Sequence, residues 1–305
     1  MSTYKEAHRC ATSYVNSPEL YQILCRRIIE KKWFPSVNRA GFWTERPDSH
    51  LFLEQWIPFD ISNMSTENST EKDNSLDFKH GRSGDWRRAN KDWTIYHPSH
   101  DDYQQEGKCR RWIGRALNVM NRIGNINQKE IDKAFYQARH KGPALVGIAS
   151  HDFRNLETEV NFLRKLIKKS SQKFKDVKFQ YSEAKESFVE LVKYKENIKR
   201  IPKPLKLKII FNKKSKKDFP SITVKTIQGK VFGPQPFLAI QTKSKRFIHD
   251  NFDFSINKGT WHYAFQPNTL PIEDVSRLGI AANDSFGNTF VTRLNLYNQN
   301  KILFY

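Results

Sequence analysis

The segment from His97 to Tyr103 carries the densest group of side chains that could do chemistry. Two imidazoles, His97 and His100, and two carboxylates, Asp101 and Asp102, lie within six positions. Groups of this kind can bind a divalent metal or act as an acid–base pair. A His-x-x-His spacing on an irregular loop does not place both rings on one face, as a helix would. A hydrogen-bond network or a helix cap is therefore the alternative interpretation.

A second group, Ser150-His151-Asp152, follows directly after the apolar run Ala144–Ala149, which predicts a buried strand. In α/β sheets, ligands bind beyond the carboxyl ends of the strands, so His151 is well placed for function. Asp152 could orient the imidazole or raise its pKa, which suits a general acid near neutral pH. Asp152 could equally cap the helix that follows, and the two roles are compatible.

Two further segments carry side chains that could bind a substrate or take part in catalysis. Arg39 follows the short extended segment Pro35–Asn38 and could bind an anion or position a carboxylate, although a surface role fits equally well. Asp85 and Trp86 form an adjacent Asp-Trp pair.

Alternating helical and strand patterns position these residues. Between residues 18 and 195 strand and helix patterns follow one another, which favours parallel α/β structure. Apolar residues at helical spacing predict five helices, and two short apolar runs predict strands. The helices are expected over Pro18–Lys32, Cys109–Ile123, Lys129–His140, Leu156–Lys169 and Glu183–Tyr194, and the strands over Ala144–Ala149 and Val177–Tyr181.

The remaining segments suggest a second domain. Residues 62–75 are rich in Ser, Thr, Asn and charge, which predicts a solvated or disordered insert. Residues 200–204 contain two prolines and read as a linker. Short strand-like runs then continue through residues 205–305, typical of an antiparallel β-sandwich. The predicted division is an α/β domain over 1–199 and a β-sandwich over 205–305.

Composition excludes several classes of protein. No run in the 305 residues is long enough to span a membrane, and Met1–Cys10 lacks the apolar stretch of a signal peptide, so we expect a soluble cytoplasmic protein. The cysteines, Cys10, Cys25 and Cys109, form no Cys-x-x-Cys pair, which excludes a zinc ribbon or disulfide framework and indicates reduced thiols.

The formal net charge of +20 is regional. Residues 161–230 contain 21 Lys and Arg against 6 Asp and Glu. Such a stretch could bind nucleic acid, an acidic polymer or a membrane surface. A lysine-rich solvated surface is the other interpretation, because the basic residues are scattered through helix and strand patterns.

Taken together, the Pro-x-x-x-Arg-x-Gly segment, the Asp-Trp pair and the strand ending in His-Asp resemble the polysaccharide deacetylases. These are carbohydrate esterases built on a NodB-homology domain, a distorted β/α barrel. In that family an aspartate pair on the first strand and a His-x-x-x-His motif bind a divalent metal. Metal-bound water attacks the acetamide carbonyl with an aspartate as base, and a late histidine protonates the departing amine.

The resemblance assigns roles to residues of this chain. Arg39 matches the arginine motif, Asp85 and Trp86 match the Asp-Trp motif, and His151 matches the late histidine. It implies catalytic roles for His151, Arg39 and Asp85, and Trp86 is expected to bind substrate. Asp152, beside His151, is a further catalytic candidate, and Tyr103 and Arg154 are further substrate-binding candidates. Zinc is the implied metal, and its candidate ligands are His8, His97, His100 and Asp101.

The chain departs from the family pattern in its metal ligands. The Asp-Asp strand is absent from the sequence, and Thr12 stands where the second histidine of the metal motif is expected. Either an N-terminal portion is missing, or the protein is a noncatalytic relative, or residues 97–102 supply a rearranged site. The first two explanations are favoured.

The expected function is metal-dependent deacetylation of a cell-surface polysaccharide, or binding of that polysaccharide without catalysis. The C-terminal aromatic residues, such as those of Gly259–Phe265, could stack on sugar rings, although most are expected in a sandwich core. The alternative function is nucleic-acid binding through residues 161–230.

Overall fold

The computed structural model describes residues 14, 17–67, 84–120, 124–151, 153–212, 219–296 and 303–304. These residues form a mixed α/β protein with one curled, mainly parallel half-barrel sheet and two antiparallel sheets. The helices are α1 (Pro18–Lys31), α2 (Pro47–Trp56), α3 (Gln128–His140), α4 (Leu156–Lys173) and α5 (Ala184–Lys195).

The strands range from two to nine residues in length. They are β1 (Val37–Asn38), β2 (Phe59–Asn63), β3 (Ile95–Tyr96), β4 (Trp112–Asn118), β5 (Gly147–Ala149), β6 (Lys206–Asn212), β7 (Ser221–Gln228), β8 (Phe237–Thr242), β9 (Phe247–Asp250), β10 (Asp253–Phe254), β11 (Thr260–Ala264), β12 (Val275–Asn283), β13 (Thr289–Asn295) and β14 (Leu303–Phe304).

The described residues divide into two compact units. Unit 1 contains residues 37–50 and 59–201, and unit 2 contains residues 14–36, 51–58 and 202–305. Unit 2 therefore takes in α1 and most of α2, which the linear division of the sequence placed in the first domain.

The sheet of unit 1 is built around β4. Strands β1, β2, β4 and β5 run parallel, and β3 is antiparallel to β4. Two apolar clusters cover the sheet. One is centred on Trp43, Trp86, Tyr96 and Ile113, and the other joins Leu117 to the apolar residues of α3 and α4.

The prediction of a helix over Cys109–Ile123 is wrong, because residues 112–118 form β4. All seven residues of β4 are buried. A strand buried on both faces carries apolar residues at nearly every position, so its pattern also matches a helical stripe. Residues 121–123 lie outside the described part of the chain.

Several other predictions are confirmed. The helices expected at residues 18, 129, 156 and 183 appear as α1, α3, α4 and α5, with ends shifted by a few residues.

Two other predictions are wrong. Residues 177–181, expected as a strand, form none. Ser62 and Asn63, expected in a solvated insert, end β2 and are buried. Residues 68–75 of that insert lie outside the described residues.

Unit 2 contains both antiparallel sheets. One sheet has the order β10-β11-β7-β6 and the other β14-β13-β12-β8-β9. Both contribute to a single core, in which Val224 and Trp261 come from the first sheet and Ile240 and Ile280 from the second. Alternate residues of β8, such as Phe237 and Ala239, point the other way and pack with α1.

No helix of the described residues is long and apolar enough to cross a membrane.

Candidate functional site

The backbone after β1 turns sharply and presents Arg39 beside an indole ring. The Arg39 guanidinium lies 4.1 Å from the ring centroid of Trp43. Phe42 and Trp43 both adopt left-handed backbone angles, with φ of 51° and 56°. Aromatic residues rarely adopt such angles, and surrounding contacts must hold them there.

Those contacts come from the segment that contains the Asp-Trp pair. The Trp86 Nε1 donates to the Trp43 carbonyl at 2.8 Å, and the Gly84 amide donates to the Phe42 carbonyl at 3.2 Å. A Cβ atom on Gly84 would lie 2.0 Å from the Trp43 carbonyl oxygen, so this close approach requires glycine. The Asp-Trp segment therefore fixes the loop that carries Arg39.

Asp85 is a partly exposed, ionised carboxylate that pairs with Arg87. Its two oxygens accept from Nε and Nη2 of Arg87 at 3.1 and 3.0 Å. Partial burial raises the pKa of Asp85, but the hydrogen bonds and charge of Arg87 outweigh that effect and hold the pKa below its ordinary value. Asp85 thus presents a negative charge at neutral pH, as an electrostatic partner and not as a proton donor.

A second part of the site follows β5. The half-buried ring of His151 stacks on Phe153, with centroids 5.0 Å apart and planes inclined by 17°. Phe153 is 77% exposed, although large apolar side chains are usually buried. The Arg154 guanidinium lies 5.7 Å from the Phe153 ring centroid. These residues form a turn ahead of α4, whose N-cap Asn155 accepts from the Thr158 amide at 3.3 Å.

One apolar cluster connects the two parts. Trp43 and Trp86 pack in a cluster that also includes Ala149, the last residue of β5. Ser150 and His151 follow that residue directly, and the Ser150 hydroxyl donates to Glu159 in α4. The residues near Arg39, Asp85 and His151 in the chain, Trp43, Trp86 and Ala149, therefore share one apolar cluster. Asp152 lies outside the described residues.

Trp86 and Tyr103, predicted to bind substrate, are instead buried at 2% and 8% exposure. The Tyr103 hydroxyl donates to the carbonyls of Glu45 and Asp85 at 2.8 and 3.1 Å. Both aromatic residues therefore hold the backbone of the site through hydrogen bonds from buried side chains, and neither offers a ring face to a ligand.

The predicted metal ligands around residue 97 lie at the other end of the sheet. His97 Nδ1 contacts the Arg111 carbonyl at 3.0 Å, and its ring packs on Trp112, the first residue of β4. His151 follows the strand that pairs with the last residue of β4. Seven residues of strand span about 20 Å, so these histidines do not share a site. His100 and Asp101 contact each other at 2.8 Å on an exposed loop.

The described residues do not fit a zinc site. Among them, no three His, Cys, Asp or Glu side chains come together as metal ligands. Structural and catalytic zinc sites use at least three such donors. His8, the remaining candidate ligand, lies outside the described residues. No step of chemistry is therefore assigned to a metal.

Unit 1 also contains a fully buried ionic network that was not predicted from the sequence. Arg111 Nη1 donates to Asp60 at 3.0 Å, while Nη2 donates to Glu45 and contacts His50 Nδ1 at 2.7 Å. All four residues are at most 2% exposed. They come from sequence positions up to 66 apart, with no shared motif, so only the tertiary structure reveals the group.

This network keeps its histidine neutral. Burial and the adjacent Arg111 charge lower the pKa of His50 to about 4. Its Nδ1 faces a guanidinium that can only donate, so that nitrogen is an acceptor. The network ties the amino ends of β2 and β4 together and has no exposed face for a ligand, so its role is structural.

The comparisons give no relative: no family model, no curated protein and no solved structure matches the chain.

Proposed function

We propose that this protein is polysaccharide deacetylase-like and binds an acetamido sugar at the carboxyl edge of the unit 1 sheet. In this proposal unit 1 is a NodB-like half-barrel and unit 2 an accessory β-sandwich. The observation that carries it is the exposed Phe153 ring stacked on His151 directly after β5.

The chemistry of these side chains supports carbohydrate. An exposed aromatic face offers apolar area to the C–H side of a pyranose ring. Phe153 would hold the sugar over His151, and the positive charge of Arg154 lies close enough to contact a ring hydroxyl or an anionic substituent. Arg39 is held on the loop that the Asp-Trp segment braces, where it suits an acyl or carboxylate oxygen.

In the deacetylation step, water supplies oxygen to the acyl carbon and the bond from that carbon to nitrogen breaks. His151 delivers a proton to the departing amine, which leaves acetate and a free amino sugar. Asp85 stays ionised, because Arg87 holds its pKa below the ordinary value, so it acts as a fixed negative charge and not as a proton donor. The resemblance implies that zinc activates the water, but the described residues do not supply its ligands.

The test is acetate release from acetylated chito-oligosaccharides by the full chain, with and without added Zn²⁺ or Co²⁺. We expect release that falls at least 100-fold in His151→Ala, because a positioned proton donor contributes that much to rate. His140→Ala, which removes an exposed histidine of α3, is the matched control.

Binding is measured in parallel by calorimetry with the same sugars. Binding without acetate release, lost on Phe153→Ala, would identify a noncatalytic carbohydrate-binding relative. Absence of both acetate release and sugar binding would overturn the proposal.

A further inference from the structure

A second surface of unit 1 combines positive charge with exposed aromatic rings. It consists of the solvent face of α4 from Arg164 to Lys173 and the segment Lys175–Tyr181 that follows, and is called here the basic aromatic surface. Residues 161–181 contain seven Lys and Arg against one acidic residue, Asp176.

The basic side chains lie on successive turns of one helix face. Leu166 and Ser170 of α4 are buried against α3, with the Gln128 side chain donating to both at 3.2 and 2.8 Å. The residues between them, Lys168 and Lys169, are exposed. Helical turns repeat about every 5.4 Å, so Arg164, Lys165, Lys168 and Lys169 form a row of cations along the helix.

The acidic side chains nearby do not interrupt this row: Asp132 of α3 pairs with Lys173 at the end of α4, at 3.1 Å. Both carboxylate oxygens of Asp176 accept from the Arg139 guanidinium in the last turn of α3, one of them at 2.9 Å. The charge of Asp176 is thereby compensated within the protein, which leaves the basic aromatic surface positive.

Two exposed rings continue the surface beyond the helix. Phe179 is 50% and Tyr181 69% exposed, and their centroids lie 5.9 Å apart. Phe179 rests on the buried ring of Phe135 at 6.0 Å, which also contacts Phe174 at 6.0 Å. The Lys173 Nζ, which pairs with Asp132, lies 5.3 Å from the Phe174 ring, so the aromatic contacts reach the end of the helix that carries the cations.

We propose that the basic aromatic surface binds single-stranded nucleic acid. A single strand carries one phosphate for each nucleotide, which suits closely spaced cations, and its unstacked bases can stack on exposed aromatic rings. Duplex bases are paired and stacked internally, so Phe179 and Tyr181 would gain little from a duplex. Acidic polysaccharides have no planar bases, and most carry fewer charges per unit length.

The test is fluorescence anisotropy of labelled oligo-dT and oligo-U of about 16 nucleotides across a salt series, with the full chain. We expect salt-sensitive binding to both. The double change K168E/K169E should weaken binding and reduce the salt slope by about 1.4, since each lost phosphate contact removes about 0.7. Lys243 and Lys258, exposed lysines of unit 2, give the charge-matched control K243E/K258E.

The aromatic contribution is tested separately at Tyr181. Y181A should weaken binding roughly tenfold and leave the salt slope unchanged, because stacking does not release counterions. Y181W should restore the affinity. Phe254 of β10 is also 69% exposed, so F254A is a control of equal exposure and should have no effect.

Four results would overturn the proposal. The first is no binding at low ionic strength, and the second is equal affinity for a duplex of the same length. The third is full affinity in Y181A. The fourth is displacement of the oligonucleotide by heparin to the same extent in the surface variants and in their controls. The last would indicate a nonspecific effect of net charge.

Discussion

Arg115 and Glu130 form a buried bidentate ion pair in unit 1, with both nitrogen–oxygen distances at 2.7 Å. Arg115 lies in β4 and Glu130 in the first turn of α3, so the pair joins the sheet to a helix. Arg115 also donates through Nε to the Ser65 carbonyl at 2.7 Å and lies 4.2 Å from the Trp93 ring. With both side chains withdrawn from water, loss of either leaves an uncompensated buried charge.

Arg115→Met should therefore lower the free energy of unfolding of unit 1 by about 3–5 kcal/mol. Arg115→Lys keeps the charge but loses the two parallel hydrogen bonds, so it should also destabilise. The double variant R115M/E130L should recover most of the loss, because no buried charge remains. Calorimetric unfolding measures all three.

The control for the ion pair is Arg139→Met, which breaks the more exposed pair with Asp176. Pairs of that kind contribute about 0–1 kcal/mol. Equal stability of R115M and R139M would contradict the importance of the buried pair.

His50 should make unit 1 sensitive to acid. The pKa of His50 is about 4 in the folded protein and ordinarily 6.5, so the unfolded state binds a proton more tightly. The free energy of unfolding therefore has its full value above pH 6.5. It decreases as pH falls from 6.5 to 4, because the unfolded state takes up a proton at His50 before the folded state does. By linkage, this difference corresponds to about 3 kcal/mol at pH 4.

His50→Gln retains an acceptor for Arg111 and does not titrate, so its stability should depend less on pH between 6.5 and 4. Urea denaturation at intervals of pH measures the difference between the variant and the wild type. His140→Gln, at an exposed site, should leave the pH dependence unchanged; a parallel shift in both variants would refute a role for His50.

The sequence predicted much of the secondary structure because local signals were strong. Helices α1 and α3 were both predicted; in the structure α1 has a proline at its first position and α3 has Asn127 as its N-cap. Strand β4 was missed because burial on both faces removes the alternation that distinguishes a strand from a helix. Strand β2 was missed because its polar residues, such as Asp60 and Ser62, are paired inside the protein.

The candidate site could be predicted only where chain order carries the information. Arg39, Asp85 and His151 were predicted from motif order and from the rule that ligands gather at strand ends, and their roles stay predictions. The burial of Trp86 and the remoteness of His97 depend on how the strands pair, which no local pattern contains. The network around Arg111 joins four distant positions, so sequence reasoning on one chain had no signal for it.

Gly84→Ala should damage the site loop. The added Cβ would lie 2.0 Å from the Trp43 carbonyl oxygen, which must shift and break its bond from Trp86. We expect a loss of about 1–3 kcal/mol in stability, together with reduced sugar binding, because Arg39 depends on this loop. Thermal unfolding and calorimetric titration measure the two effects.

Gly41→Ala is the matched control, since a Cβ there meets no atom within 4 Å and lies in the same loop. It should change stability little. If G84A and G41A behave alike, the close approach at Gly84 is not a constraint on the loop.

Phe153→Ala should separate ligand binding from folding. Because Phe153 is 77% exposed, its removal should change the free energy of unfolding by less than about 0.5 kcal/mol. The loss of its face to a sugar ring should weaken oligosaccharide binding several-fold, in the range of aromatic contacts worth about 0.5–1.5 kcal/mol. Phe153→Trp should retain or strengthen binding, whereas Phe254→Ala should have no effect. Unchanged affinity in F153A, with the same sugars and calorimetry, would show that the ring stacked on His151 does not contact carbohydrate, and His151 would then need another substrate.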